Sequence, residues 1–423
     1  MVARPPALPL SAAFASARAP GSHDDTRQRL VMAAGQLIAD GGISAASARA
    51  IAASAGTAPS AINYNFGNIE RLLLTVFEQG VEETRAWLQD CSDTLAALPA
   101  SPDGLAWALL HLLGAWAGDG RRLALIYQET VAADPGHGPA AAWTRLWRDF
   151  WIDAAARCGL PAVDGRVLHA FFEHEALYNL SAWSPALESA GLAEMVDHLA
   201  TIWLDARPRP PREAMVQAER LAGTRPYGSV PPAAMRIAKA AAKVVEDKGL
   251  AGLTHRAVAA RAGVTTGSVT HHFRSIEDLV AGAIRGQVQA MTEDAAARND
   301  AGPSLDEALT AHALFAALRA HVTSDLPSPA VLRRRRLFLA AVRRKDLAAA
   351  GAVIRFSYGG TLRDSLGRVF GFSGPDLVLH ASVLARLLAA IWFACAGDED
   401  PTASRSALFE RIEELFRAHV GAA

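Results

Sequence analysis

Cysteine is scarce: Cys91, Cys158 and Cys395 are the only three in 423 residues, far apart and odd in number. That excludes a disulfide framework or a zinc knuckle and suits a reducing cytoplasm. Charge of one sign is missing too. A net charge of −1 gives no global pull toward nucleic acid, so any such affinity has to come from local patches. No apolar run reads as long enough to span a membrane, and no membrane partner is expected. Residues 1–23 are rich in Ala and Pro, and Pro5, Pro6 and Pro9 interrupt the apolar core of an export signal. That segment is expected to be a disordered leader, with a processed signal as the lesser alternative. Nucleophile elbow, phosphate loop, metal motif and paired-carboxylate signature are all absent. No catalytic residue, metal or cofactor is therefore expected, and the chain does not read as an enzyme. What is abundant is Ala, Leu and Arg with few β-branched runs, which argues an all-α fold. With 51% hydrophobic residues, a chain of this length can bury substantial cores.

The stretch from Ala257 to Phe273 reads as two short helices joined by a tight turn. Ala257 to Ala262 favours helix, Gly263 reaches left-handed backbone angles cheaply, and Thr265 is suited to cap the next helix. Val258 and Val269 would hold the pair together. Thr266, Gly267, Ser268, Thr270 and His271 are small or polar, of the kind that enters a major groove. Sliding the sequence against itself finds Ala50 to Phe66 superposing without a gap at an offset of 207 residues. The match extends to Ala33, Asp40, Gly42, Arg49, Ile69, Glu70 and Leu72 against Ala240, Asp247, Gly249, Arg256, Ile276, Glu277 and Leu279. A period near half the chain means a duplicated domain.

Each copy resembles the N-terminal domain of a TetR/AcrR-type transcriptional regulator. The resemblance rests on Ala259 to Phe273 followed by Ser275-Ile276-Glu277-Asp278-Leu279, and on Ala52 to Phe66 followed by Asn68-Ile69-Glu70-Arg71-Leu72. It implies nine helices per unit, with the last two of each forming a four-helix bundle with a partner. It also implies a double-stranded DNA operator and a small-molecule effector, apolar or aromatic. The family's Tyr is replaced by Asn63 and Thr270 and its Lys by Ile69 and Ile276, so a weaker or shifted footprint is expected. Thr57 replaces the usual Val of the turn, and Pro59 is expected at the second helical position.

The organisation that follows is a leader (1–23), a first helix-turn-helix head (24–80), a first helical ligand-binding and dimerisation body (81–205), a Pro/Arg-rich linker (206–232) with a short helix near 213–221, a second head (233–286) and a second body (287–423). Bundle candidates are 165–182 with 187–204, and 375–396 with 402–420. Two arrangements satisfy this: an intramolecular pseudo-dimer, or two beads on a linker that each dimerise with another chain. The first is the more economical. The heads differ in charge. The first carries four arginines (Arg27, Arg29, Arg49 and Arg71) against five carboxylates, and the second eight cations against four carboxylates. The second should be the stronger anchor.

Candidate DNA-binding residues are Arg49, Ala58, Pro59, Ser60, Asn63, Tyr64 and Asn65 in the first head. In the second they are Arg256, Arg261, Thr265, Thr266, Gly267, Ser268, Thr270, His271 and His272. Eight of nine tryptophans lie before residue 204, and Trp143, Trp147, Phe150 and Trp151 share one helix face. Such a stripe is usually core, yet it could line a ligand cavity; the candidate liners are Trp107, His111, Trp116, Tyr127, Trp143, Trp147, Phe171 and His174. His169, Glu173 and His174 lack metal-ligand spacing. The run Arg333 to Arg336 with Arg343, Arg344 and Lys345 reads as a solvated or interdomain face, with an anionic-ligand pocket as the lesser alternative. The function expected is a ligand-responsive repressor that binds an asymmetric operator. Its rivals are a constitutive DNA-binding protein and a helical enzyme or ligand-binding protein that kept the heads.

Overall fold

The computed structural model describes residues 23–204, 213–224, 230–300, 310–324 and 329–422; most of the leader, part of the linker and residues 301–309 lie outside them. Among the described residues there are helices and no strands. The first unit runs through α1 (His23–Gly41), α2 (Ala48–Ser54), α3 (Ser60–Phe66), α4 (Ile69–Leu95), α5 (Pro102–Ala117), α6 (Arg121–Ala133), α7 (Gly138–Arg157), α8 (Ala162–Tyr178) and α9 (Pro185–Trp203). After α10 (Ala214–Thr224), the second unit runs through α11 (Pro232–Lys248), α12 (His255–Ala262), α13 (Thr266–His272), α14 (Ile276–Asp300), α15 (Ala311–Val322), α16 (Pro329–Val342), α17 (Ala348–Phe356), α18 (Gly360–Phe370), α19 (Gly374–Cys395) and α20 (Pro401–Ala422). The prolines that break the pattern also start helices. Pro102, Pro185, Pro232 and Pro375 stand in first turns, where a missing N–H leaves no intrahelical bond unmade.

The nine helices implied for each unit hold for the first; the second has ten among the described residues. Where the first unit has the single helix α7, the second breaks between α17 and α18. Gly359 causes the break: its φ is +94°, and a Cβ there would come within 2.7 Å of the Ala381 backbone. Next to it, the buried Tyr358 hydroxyl meets that of Tyr178 at 2.8 Å.

Two helices from each unit build the seam. α8 and α9 pack against α19 and α20 in one four-helix bundle, so the chain folds as an intramolecular pseudo-dimer. α8 is buried from Val167 to Tyr178 without interruption, which fits a helix covered on every side. α19 corrects the reading that no segment is long enough to span a membrane: by length and composition it is, yet most of it is packed inside the bundle. The short helix expected in the linker is α10. α10 lies against α9, α17 and α19 with Met215, Ala218 and Ala222 buried, and the Met215 N–H donates to Glu194 at 2.8 Å. At least this part of it is docked.

Candidate nucleic-acid interface

Each head places a short helix across another at a left-handed glycine, Gly56 with φ +65° and Gly263 with φ +67°. A side chain at either position would be strained. In the second head the hydroxyl of Thr254 caps α12 through the Ala257 N–H (3.1 Å), and that of Thr265 caps α13 through the Ser268 N–H (3.2 Å). Val258 and Val269 are fully buried between the two helices. α14 then opens on a reciprocal cap, with Asp278 accepting from the N–H groups of Arg274 and Ser275 while Ser275 accepts from that of Asp278. The first head is less well capped at the same place. Pro59 stands just outside α3 as its N-cap, rather than at the second helical position, and no side chain caps that helix.

Of the predicted contacts, Arg49, Ala58, Pro59, Ser60, Asn63 and Tyr64 are exposed in the first head, Tyr64 at 77%. Asn65 is half-buried, and its amide donates back to the Ala61 carbonyl at 2.7 Å. In the second head Arg256, Arg261, Thr265, Thr266, Gly267, Thr270 and His271 are exposed, whereas Ser268 and His272 are half-buried. Arg261 pairs with Asp247 at 3.1 Å. Both heads therefore present a coherent face, but their chemistry differs. Two of the first head's four arginines are engaged by its own backbone. Arg27 donates to the Asn65 carbonyl (3.0 Å) and lies 4.4 Å from the centre of the Phe66 ring, and Arg29 donates to the Ala55 carbonyl (3.4 Å). The second head closes the end of α13 with His255, which donates to the Phe273 carbonyl at 2.8 Å.

The eight predicted ligand-lining residues do not share a cavity. Trp107 is 56% exposed and His111 faces solvent, while Trp116, Tyr127, Trp143, Trp147 and Phe171 are fully buried and His174 nearly so. The tryptophans fill the space themselves. Ring centres are 5.1 Å apart for Trp116 and Trp147 and 4.0 Å for Trp147 and Phe172, and the Trp143 indole donates to Thr84. A cavity of about 180 Å³ is lined elsewhere, by Leu95, Leu98, Leu105, Arg157 and Cys158 among others. An open cleft of about 560 Å³ is flanked by Arg145, Arg148, Arg166 and Asp398. Glu173 turns to Tyr127 and Arg335 and His174 to Glu175, while the buried His169 Nε2 meets no hydrogen-bond partner among the described residues; among them, too, no three His, Cys, Asp or Glu side chains are grouped to hold a metal.

The arginine run is an interdomain face, and it reaches both heads. Arg333 pairs with Glu246 at the end of α11, and Arg344 donates to the Glu277 carbonyl at the start of α14. Arg343 crosses to the first head. It pairs with Glu129 at 2.7 Å and donates to the Ala39 (2.9 Å) and Ile38 (3.3 Å) carbonyls at the end of α1. Glu129 in turn accepts from the Ile43 N–H at 3.3 Å. Arg343→Met should thus leave a mostly buried carboxylate and two helix-end carbonyls without their cation. A loss of about 1–3 kcal/mol is expected. Hydrogen exchange should speed up at Gly42 and Ile43 first; unchanged protection there would contradict the contact's role.

A sequence model described as bacterial regulatory proteins, tetR family, matches residues 30–76 and again 237–283, an offset equal to that of the internal repeat. No curated protein matches the chain. A solved structure, the crystal structure of multidrug binding protein EbrR complexed with malachite green, is 30% identical over 45% of this chain and 98% of its own, with a TM-score of 0.28. The two matches fall on the two capped helix-turn-helix heads, and the chain belongs to the tetR family of DNA-binding regulators, with the family's N-terminal domain present twice.

Proposed function

We propose that the chain is a ligand-responsive transcriptional repressor that reads an asymmetric operator with two unlike heads, one chain per site. The observation that carries this reading is the pairing of two differently surfaced recognition helices through a bundle within one chain. One head offers Pro59, Ser60, Asn63 and Tyr64, the other Thr266, Gly267, Thr270 and His271. Repression would follow from operator occlusion, and release from an effector that shifts the spacing of the heads. The segment from Arg333 in α16 to Arg344 just past its end, which touches both, is the element through which such a shift would travel.

The effector would be apolar or aromatic with an oxygen acceptor, because Trp116, Trp147 and Trp151 bury indole N–H groups without an acceptor among the described residues. The close packing of that core favours a second reading, a constitutive DNA-binding protein without inducer. A thermal-shift screen with aromatic acids separates the two, since a ligand that binds only the folded state raises Tm.

The DNA reading is tested on the chain's own promoter by footprinting and by the salt dependence of binding. An unsymmetrical footprint from one chain is expected. Arg261→Ala and His271→Ala should weaken binding, as should Tyr64→Ala, and each lost phosphate contact should reduce the slope against log salt by about one. A perfect inverted repeat with one chain per half-site would overturn the proposal. So would binding indifferent to all three substitutions.

A further inference from the structure

We infer that the seam between the units is a one-way charge code, built so that each unit pairs with its opposite and rejects its own kind. At the centre of the seam the acids come from the first unit and the arginines from the second. Glu173 accepts from Arg335 at 2.8 Å, Glu175 from Arg386 at 2.8 Å and from Arg355 at 3.3 Å, and Glu188 from Arg355 at 3.4 Å. None of these six residues is more than 5% exposed. The same polarity continues outward: Asp164 pairs with Arg411, Glu129 with Arg343, and Glu219 of α10 with Arg363. Asp398 with Arg148 and Arg166 is the reverse pair, and it lies beside the open cleft rather than at the centre.

An interface between two like copies must be self-complementary. This one is not. α8 and α9 carry Asp164, Glu173, Glu175, Glu188, Glu194 and Asp197, with Arg166 as their only Lys or Arg. Two first units brought together would bury those carboxylates against one another. Two second units would bury Arg335, Arg355 and Arg386 with no carboxylate to meet them. Buried charges without partners are strongly destabilising, so like pairs should be disfavoured at least a hundredfold relative to the unlike pair. A second copy of the whole chain could still exchange units, but only first with second. One chain, or any exchanged assembly, thus always brings the two heads in equal number.

The inference deepens the reading of one chain per asymmetric operator. Its test involves no DNA, so either can fail alone. A protease site is inserted into the full chain between residues 224 and 230, the folded protein is cut, and it is mixed with an identically cut copy carrying a mass tag on both fragments. Native mass spectrometry then reads the pairs. The fragments are expected to stay associated at micromolar concentration and to exchange only into first–second pairs, with like pairs at about 1% or less. Like pairs at a tenth or more of the unlike ones would overturn the inference, as would fragments that part at micromolar concentration.

Discussion

Glu175→Gln is expected to lower the unfolding free energy by about 3–5 kcal/mol, the range for breaking a buried ion pair by removing one partner. The reason is geometric. Glu175 is fully buried and accepts from Arg386 and Arg355, both also fully buried, and from the His174 ring at 2.9 Å. An amide at this place keeps the shape but leaves the Arg386 guanidinium without a carboxylate and Arg355 with Glu188 alone. Urea titration should show the loss as a lower midpoint. Glu82→Gln is the control: its partner Arg85 is one turn away and both are more than half exposed, so a change within about 0.5 kcal/mol is expected. Equal midpoints for the two variants would contradict the burial argument. Replacing Glu175, Glu188, Arg355 and Arg386 together by Met should recover most of the loss, since apolar packing can stand in for a buried ionic cluster. What such a variant should lose is the discrimination between like and unlike units.

This division marks what the sequence could tell. The heads were legible because their physics is local. Gly263, the cap Thr265 and the Val258–Val269 contact all fall within a run of some twelve residues, and the repeat at Gly56, with Ile51 and Ile62, confirms the spacing of the turn and its contact. The bundle was legible through the family resemblance, with glycine and proline marking off the segments that it implied. The seam was not. Glu175 meets Arg386 across 211 positions and Glu173 meets Arg335 across 162, and no periodicity records such a pair. Composition misled at the tryptophans. Trp147 and Trp107 look alike in a helical pattern, yet one closes a core and the other faces solvent. Whether an aromatic stripe fills a space or lines one depends on the volume between helices, which is set by residues far away in the chain.

Mild acid should weaken the fold well above the pH at which its carboxylates protonate. Burial is the main cause. It pushes His169 down to about 3, with the charges of Arg166 and Arg148 adding to it, and it pushes His174 and His380 to about 4 and His198 well below the ordinary value. Glu175 partly opposes this at His174, and the Asp376 carbonyl does so at His380. His198, His380 and His419 face one another across the seam, so protonating one disfavours the next. These are bases held neutral, so below about pH 6.5 the unfolded chain binds protons that the folded chain refuses. Stability is therefore complete at pH 7 and above and falls as the pH drops toward 4. Glu175 acts in a different window: its carboxyl is held far below the usual range, so its contribution persists until the pH falls beneath that of an ordinary carboxylate. At pH 5 each buried histidine costs about 2 kcal/mol, and the three with the best-defined shifts together about 6 kcal/mol, comparable with the whole stability of a domain. Calorimetric melts from pH 7.5 to 5 should show Tm falling by ten degrees or more. His380→Phe, which keeps the stack on Phe372 (3.9 Å) and removes one of the four proton sites, should flatten that fall by about a quarter. A Tm that held level down to pH 5 would mean that these histidines are protonated in place, and that the seam opens to water.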